Sequence, residues 1–286
     1  RGLGDVYKRQ EIIYKTLLSD KPCMIARFGA VELGCVVNYL GVRNKDILNY
    51  IRGKAEPWWW TKPTLQQMSN NAGFFSISDK NLRRFSELMI QDMSSVDILA
   101  SWLQDESRFE KELSNVYKIW LEYLNPYWSE NPWSRALEGK KVLVVHPFVD
   151  SIQKQYKKRA FLHKHPQTLP DFDLKTIKAV QGIGGVCNEG FKDWFDAFEY
   201  MKAEINKSNY DICILGCGAY GFPLAAHVKR MGKKAIHMGG ATQMLFGIKG
   251  KRWEDEYGEF MNEHWIRPSK EETPINAMKI ENGCYW

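Results

Sequence analysis

Ile212-Cys213-Ile214-Leu215-Gly216-Cys217-Gly218-Ala219-Tyr220-Gly221-Phe222-Pro223-Leu224-Ala225-Ala226-His227 is the stretch that decides the fold class. An apolar run of strand length meets closely spaced glycines, and a helical apolar pattern starts straight after them. Glycines at the carboxyl end of a strand let backbone N–H groups approach a ligand, and the N-terminus of the next helix favours an anion. The spacing Gly216-x-Gly218-x-x-Gly221 satisfies the dinucleotide-type glycine pattern, in the strand-then-helix context that the pattern requires. A second apolar run ends in a chemically loaded way as well, at Arg27-Phe28-Gly29-Ala30-Val31-Glu32. Two such ends predict a ligand site at one edge of an open α/β sheet.

Working outward, the apolar spacing predicts strands over residues 23–28, 96–100, 141–146, 174–180, 210–215 and 235–238. Helices are expected over 11–19, 32–40, 44–54 (opened by Asn44), 81–93, 108–124, 150–161, 189–206, 222–231 and 242–246. Strands alternating with helices of this length argue for an α/β, Rossmann-like, mostly parallel sheet flanked by helices, with helical insertions in the N-terminal half. Residues 11–286 are expected to form one domain. The proline-punctuated aromatic stretch around 125–140 is the best place for a seam. Residues 1–10 carry no pattern and are expected to be non-native or disordered.

The 286 residues, 44% hydrophobic and 26% charged, suit a soluble globular chain with a full core. The net charge of +6 is spread out, with short basic groups at 154–159 and 249–252. It suits an anionic small ligand or an anionic membrane surface, and either group also serves as ordinary solvated surface. No nucleic-acid module accompanies it, so nucleic acid is not an expected partner. Six cysteines show no metal-ligand spacing and are expected to be reduced thiols of a cytoplasmic protein. No apolar run approaches the ~20 residues needed to span a bilayer.

The predicted strand ends give a compact set of candidates. The first supplies Arg27, Gly29 and Glu32; another gives His146, then Ser151 and Gln153. A third ends in Gln181-Gly182-Ile183-Gly184-Gly185, a fourth in Gly216, Gly218, Tyr220 and Gly221. The last supplies His237, Gly239, Gly240 and Gln243. The glycine loop reads equally as a phosphate cradle or as a structural turn. A dinucleotide fold needs an acidic residue at the end of the next strand, to hold the ribose. Here that strand ends His237-Met238-Gly239-Gly240, which puts a nicotinamide cofactor well behind. Glu32 suits a general base, a metal ligand or a helix N-terminal charge. Arg27 after an apolar strand needs a partner, either Glu32 or a phosphate. His146 and His237 suit structural rings as well as catalysts, and Asp150 and Ser151 read as a helix cap. The adjacent Trp58, Trp59 and Trp60, and Trp253, are candidates for stacking on sugar rings.

With those residues in view, the chain resembles the GT-D-type glycosyltransferases and their relatives in bacterial polysaccharide gene clusters. Ile25-Ala26-Arg27-Phe28-Gly29-Ala30-Val31-Glu32 is similar to the family's Arg-Phe-Gly-Asp-Gly-Glu element. Leu215-Gly216-Cys217-Gly218-Ala219-Tyr220-Gly221, with Leu224-Ala225 and Lys233-Lys234-Ala235-Ile236-His237-Met238-Gly239, is similar to its late segment. The resemblance implies a nucleotide-sugar donor and a glycan or lipid-linked acceptor, and the basic groups add an expectation of peripheral attachment to the inner membrane face. It implies diphosphate binding by the residue 216–221 loop and by Gly239 and Gly240, leaving-group neutralisation by Arg27, and Glu32 as base or cation ligand, with His146 the alternative base. The family's acidic pair is associated with Mn2+ or Mg2+, but Ala30 stands at the Asp position, which puts metal dependence in doubt. A catalytically inactive nucleotide- or glycan-binding partner of a synthesis complex is the alternative expectation.

Overall fold

The computed structural model describes residues 3–182, 185, 187 and 189–286. Seven strands form one sheet: β1 (Cys23–Ala26), β2 (Ile98–Ser101), β3 (Tyr117–Trp120), β4 (Lys141–His146), β5 (Asp173–Lys178), β6 (Ile212–Leu215) and β7 (Lys234–His237). Their order is β3-β2-β1-β7-β6-β4-β5, and every pairing is parallel. The fold is therefore the α/β, Rossmann-like arrangement that the sequence predicts. The sheet runs unbroken through both halves of the chain, with β1 of the first half paired to β7 of the second.

A parallel sheet covered on both faces needs apolar residues at consecutive positions, and the strands supply them. Met24, Ala26, Leu143, Val145, Cys213 and Leu215 enter one core. Their neighbours Cys23, Ile25, Val142, Val144, Ile212 and Ile214 enter the core on the opposite face. Helices α2 (Ala30–Asn44), α4 (Lys62–Asn70), α5 (Asp79–Met93), α7 (Trp194–Lys207) and α8 (Gly221–Arg230) pack on the first face. Helices α1 (Leu3–Leu18) and α6 (Val149–Tyr156) cover the other. Three shorter helices complete the chain: α3 (Ile47–Ile51), α9 (Thr242–Leu245) and α10 (Lys251–Tyr257).

Several local expectations are corrected. The apolar stripe over 108–124 is not a helix. Residues Gln104–Phe109 and Leu121–Leu124 form 3-10 turns, with β3 between them. Tyr117, Ile119 and Trp120 are β-favouring, and pairing with the open edge of β2 satisfies backbone groups that a lone helix would satisfy internally. Only Ile119 of β3 is buried, as befits an edge strand. The helix expected from Asn44 shrinks to α3, capped by Asp46, whose side chain accepts the Asn49 N–H. α7 starts at Trp194 rather than Glu189, because Asp193 caps it through the Asp196 N–H. α4 was not expected, although Thr61 as cap and Pro63 in the first turn are both legible start signals. Residues 3–10 lie in the helix α1. Gln10 is buried, donating to the carbonyls of Tyr123 and Asn125 and accepting from the Trp133 N–H. Residues 1 and 2 lie outside the described residues.

Trp194 organises the first core. Fully buried, it stacks on Tyr220 at 4.7 Å and lies 5.3 Å from Phe74 and 5.1 Å from Phe198 between ring centroids. Trp194→Ala is expected to cost about 3–5 kcal/mol in urea unfolding; a loss below about 1 kcal/mol would show that the surrounding rings pack without it.

Candidate functional site

In a parallel sheet, loops leaving the carboxyl ends of the strands bound a crevice wherever neighbouring connections depart in opposite directions. Here the chain leaves β4 toward β5 and leaves β6 toward β7, so β4 and β6 flank such a point. A cavity of about 700 Å³ opens there. Arg27, Gly29, Glu32, His146, Tyr220, His237, Gly240 and Gln243 line it, as do Gly216, Gly218 and Gly239. The structure thus brings most of the strand-end candidates together, Gln181 and Gly182 among them. Gly221, Ser151, Gln153 and Gly185 do not line the cavity. Ile183 and Gly184 of the third strand end lie outside the described residues.

Crowding explains the glycines. A Cβ at Gly216 would stand 2.6 Å from Thr242 Oγ1, 2.7 Å from the Gly239 carbonyl oxygen and 2.7 Å from His146 Cδ2. A Cβ at Gly221 would meet the His237 ring at 2.2 Å. Gly218 and Gly239 have φ of +56° and +62°, where only glycine is unstrained. The loop's N–H groups are partly engaged, since Ala219 N–H donates to the Ala72 carbonyl at 3.2 Å and Gly216 N–H to Val145. The glycine pattern accordingly serves close packing of three strand ends as well as any ligand. Gly29 differs: the three atoms nearest to a Cβ there all belong to the Glu32 carboxyl group, which folds back over it.

Arg27 projects from the end of β1 onto the Trp102 ring, 4.9 Å from its centroid. Among the described residues its guanidinium makes no hydrogen bond and no ion pair within 4 Å. Burial lowers its proton affinity, and the negative charge of Glu32 opposes that. Burial raises the Glu32 carboxyl above the usual range, while its own backbone N–H and Arg27 pull it down. Glu32 by itself offers one carboxylate beside a guanidinium, whereas a divalent cation takes about six oxygen ligands. Among the described residues no group of three or more His, Cys, Asp or Glu gathers to hold a metal.

The two histidines are neutral and of opposite tautomer. Burial pushes His146 down to about 3, and burial together with Arg27 does the same to His237. His146 Nδ1 accepts the Phe148 N–H at 3.0 Å, so its proton sits on Nε2. His237 Nδ1 faces the Leu215 carbonyl at 3.3 Å and must be the protonated nitrogen, leaving Nε2 as acceptor. In His146 the Nδ1 lone pair is thereby taken, and Nε2 keeps the proton. His237 Nε2 has the lone pair.

The sequence did not single out several groups of the wall. Trp102 and Trp120 come from the ends of β2 and β3, and Arg252, Tyr285 and Trp286 from the C-terminal segment. Arg252 donates to the Tyr285 hydroxyl at 3.3 Å, and Gln243 Nε2 donates to the Tyr285 carbonyl at 3.0 Å. The N-terminus of α6 is occupied by Glu272 of the same segment, which accepts from the backbone of Asp150 and Ser151 and from the Ser151 hydroxyl. Asp150 and Ser151 therefore receive a cap rather than provide one. No local pattern announces Glu272, which lies 121 residues from Ser151. Trp253 lines the cavity as expected, but Trp58, Trp59 and Trp60 do not. Trp58 and Trp59 pack edge-on at 4.7 Å, and Trp60 stacks on Tyr39. Comparison with protein-family models, with curated proteins and with solved structures finds no match to this chain.

Gly216→Ala is expected to cost about 3 kcal/mol, because its Cβ would meet backbone as well as side chains. Gly29→Ala is expected to cost at most about 1 kcal/mol while displacing the Glu32 carboxylate. Urea unfolding of the two variants checks the contrast, and equal losses would refute it. Acid should also weaken the fold. An unfolded histidine binds a proton below about pH 6.5 that buried His146 and His237 refuse, so stability falls as pH drops from there toward 3. Each ring contributes up to about 1.4 kcal/mol per pH unit within that window. His146→Gln should flatten the slope between pH 6.5 and 4.5, and an unchanged slope would mean that this ring protonates in the folded chain.

Proposed function

We propose that the chain is a glycosyltransferase, moving a sugar from a nucleotide-sugar donor to a glycan or lipid-linked acceptor in the cytoplasmic stage of bacterial surface polysaccharide synthesis. The observation that supports this most is Arg27, a guanidinium with no hydrogen-bond or ion-pair partner among the described residues, on the wall of a cavity of about 700 Å³. An anion is the natural partner for such a group, and the volume lies in the range of small-molecule sites.

In such a transfer the bond from the anomeric carbon to the donor diphosphate breaks, and a bond to the acceptor hydroxyl oxygen forms. The hydroxyl proton passes to a base. Charge builds on the departing diphosphate, where Arg27 neutralises it; preorganised charge of this kind is commonly the largest catalytic contribution. Glu32 is the base in this reading, since burial favours its protonated form and so strengthens its pull on a proton. His146 donates from Nε2 to a donor oxygen, and His237 accepts a hydroxyl at Nε2. Trp253 and Tyr285 offer ring faces to the sugar or the nucleobase. A Mn2+ or Mg2+ ion would come with the diphosphate rather than reside at Glu32.

A second reading, a catalytically inactive nucleotide- or glycan-binding partner, is favoured by Ala30 in place of the second carboxylate. Thermal shift against nucleoside diphosphates and their sugars, with a transfer assay alongside, tests both. Ligand should raise the melting temperature, Arg27→Gln should abolish that rise, and Glu32→Gln should cut turnover by about a hundredfold or more with melting unchanged. Binding without turnover would select the second reading. No shift with any nucleotide would sink both.

A further inference from the structure

Ile47, Leu48 and Ile51 are 47%, 68% and 74% exposed, and Trp59 is 44% exposed. Ile47, Leu48 and Ile51 occupy one short helix, α3, none of whose residues is buried. Tyr50 joins the cluster, packing edge-on against Trp58 at 5.1 Å and Trp59 at 5.2 Å. Five cations lie in or beside this stretch of the chain, Arg43, Lys45, Arg52, Lys54 and Lys62, all exposed. Among the described residues Lys45, Arg52, Lys54 and Lys62 make no ion pair. The acids of the segment are engaged, Asp46 as the α3 cap and Glu56 with Arg108 at 2.7 Å. Asp79 of the adjacent α5 takes the Trp60 indole N–H and Arg83.

We infer that this surface docks the protein on an anionic lipid bilayer. Aliphatic side chains with Trp and Tyr beside them, rimmed by Lys and Arg, are what an interfacial membrane segment requires. The apolar groups enter the acyl boundary, the aromatic rings sit at headgroup level, and the cations meet lipid phosphates. The charge also argues against a second copy of the chain. A two-fold contact through this patch would set its five cations against the same five. An acidic surface is the complement, and an anionic bilayer supplies one without needing matched shape.

Placement agrees with such a role. α2 begins at Ala30 beside the cavity and ends at Asn44 beside α3, a run of 15 residues or about 22 Å along the helix. Docking therefore leaves the cavity uncovered, and changes in the patch leave its walls untouched. Nothing in this inference depends on the reaction assigned to the cavity.

Sedimentation of the full chain with vesicles tests it, comparing phosphatidylglycerol–phosphatidylcholine mixtures with pure phosphatidylcholine at low and high salt. Binding is expected to the mixed vesicles, weakened by salt. The double variant Leu48→Asp, Ile51→Asp should weaken it by about tenfold or more with melting temperature unchanged, because neither side chain is buried. Lys45→Glu with Lys54→Glu should lower binding to the mixed vesicles selectively. Failure of the unmodified chain to sediment with mixed vesicles would overturn the proposal, as would equal binding by the aspartate variant. Concentration-dependent dimerisation in analytical ultracentrifugation that the aspartate variant abolishes would assign the surface to a second copy instead.

Discussion

Gly216 is where the second half of the sheet closes on itself. At that point the ends of β4, β6 and β7 converge so tightly that His146, Thr242 and the Gly239 carbonyl all stand within about van der Waals reach of a single absent Cβ. The cavity lies directly outside this knot, and both of its histidines are fixed by it. The Leu215 carbonyl receives the Thr242 hydroxyl and faces His237 Nδ1, while the Phe148 N–H holds His146. A larger residue at position 216 would separate the strand ends and release the rings together.

The electrostatics of the cavity follow from that geometry. Two neutral imidazoles present a donor and an acceptor, while Arg27 has no hydrogen-bond or ion-pair partner among the described residues and Glu32 rests on Gly29. Burial, joined at His237 by the charge of Arg27, holds both rings neutral near neutrality, so their roles in hydrogen bonding do not switch there. The C-terminal segment completes the enclosure. Glu272 satisfies the N-terminus of α6, and Tyr285 covers Gly240, bringing residues distant in sequence to the same edge of the sheet.

At the opposite end of α2 the surface is of another kind. Apolar side chains stay in solvent around α3 because that helix is too short to bury a stripe against the α2–α4 layer. Elsewhere the strands and longer helices bury most of their apolar residues in two large cores, and other exposed apolar side chains, such as Phe161, Met231 and Ile275, lie far from α3 in the chain.

The sequence by itself determined the α/β class and the strand ends that matter. Strand-length apolar runs, followed by glycine and then by helical spacing, are local patterns, and a parallel sheet puts all their carboxyl ends on one edge. Arg27, Glu32, His146 and His237 were legible for that reason. Tertiary structure decided whatever depends on a distant partner. The stripe over 108–124 became β3 because β2 offered an open edge, which no local spacing reveals. Hydrogen bonds to particular carbonyls and N–H groups fixed the histidine tautomers. Trp102, Arg252 and Tyr285 reached the site, and Glu272 the start of α6, through loops whose course is set by packing. The three adjacent tryptophans went to a surface away from the cavity, because where an aromatic ring settles depends on what the fold brings beside it.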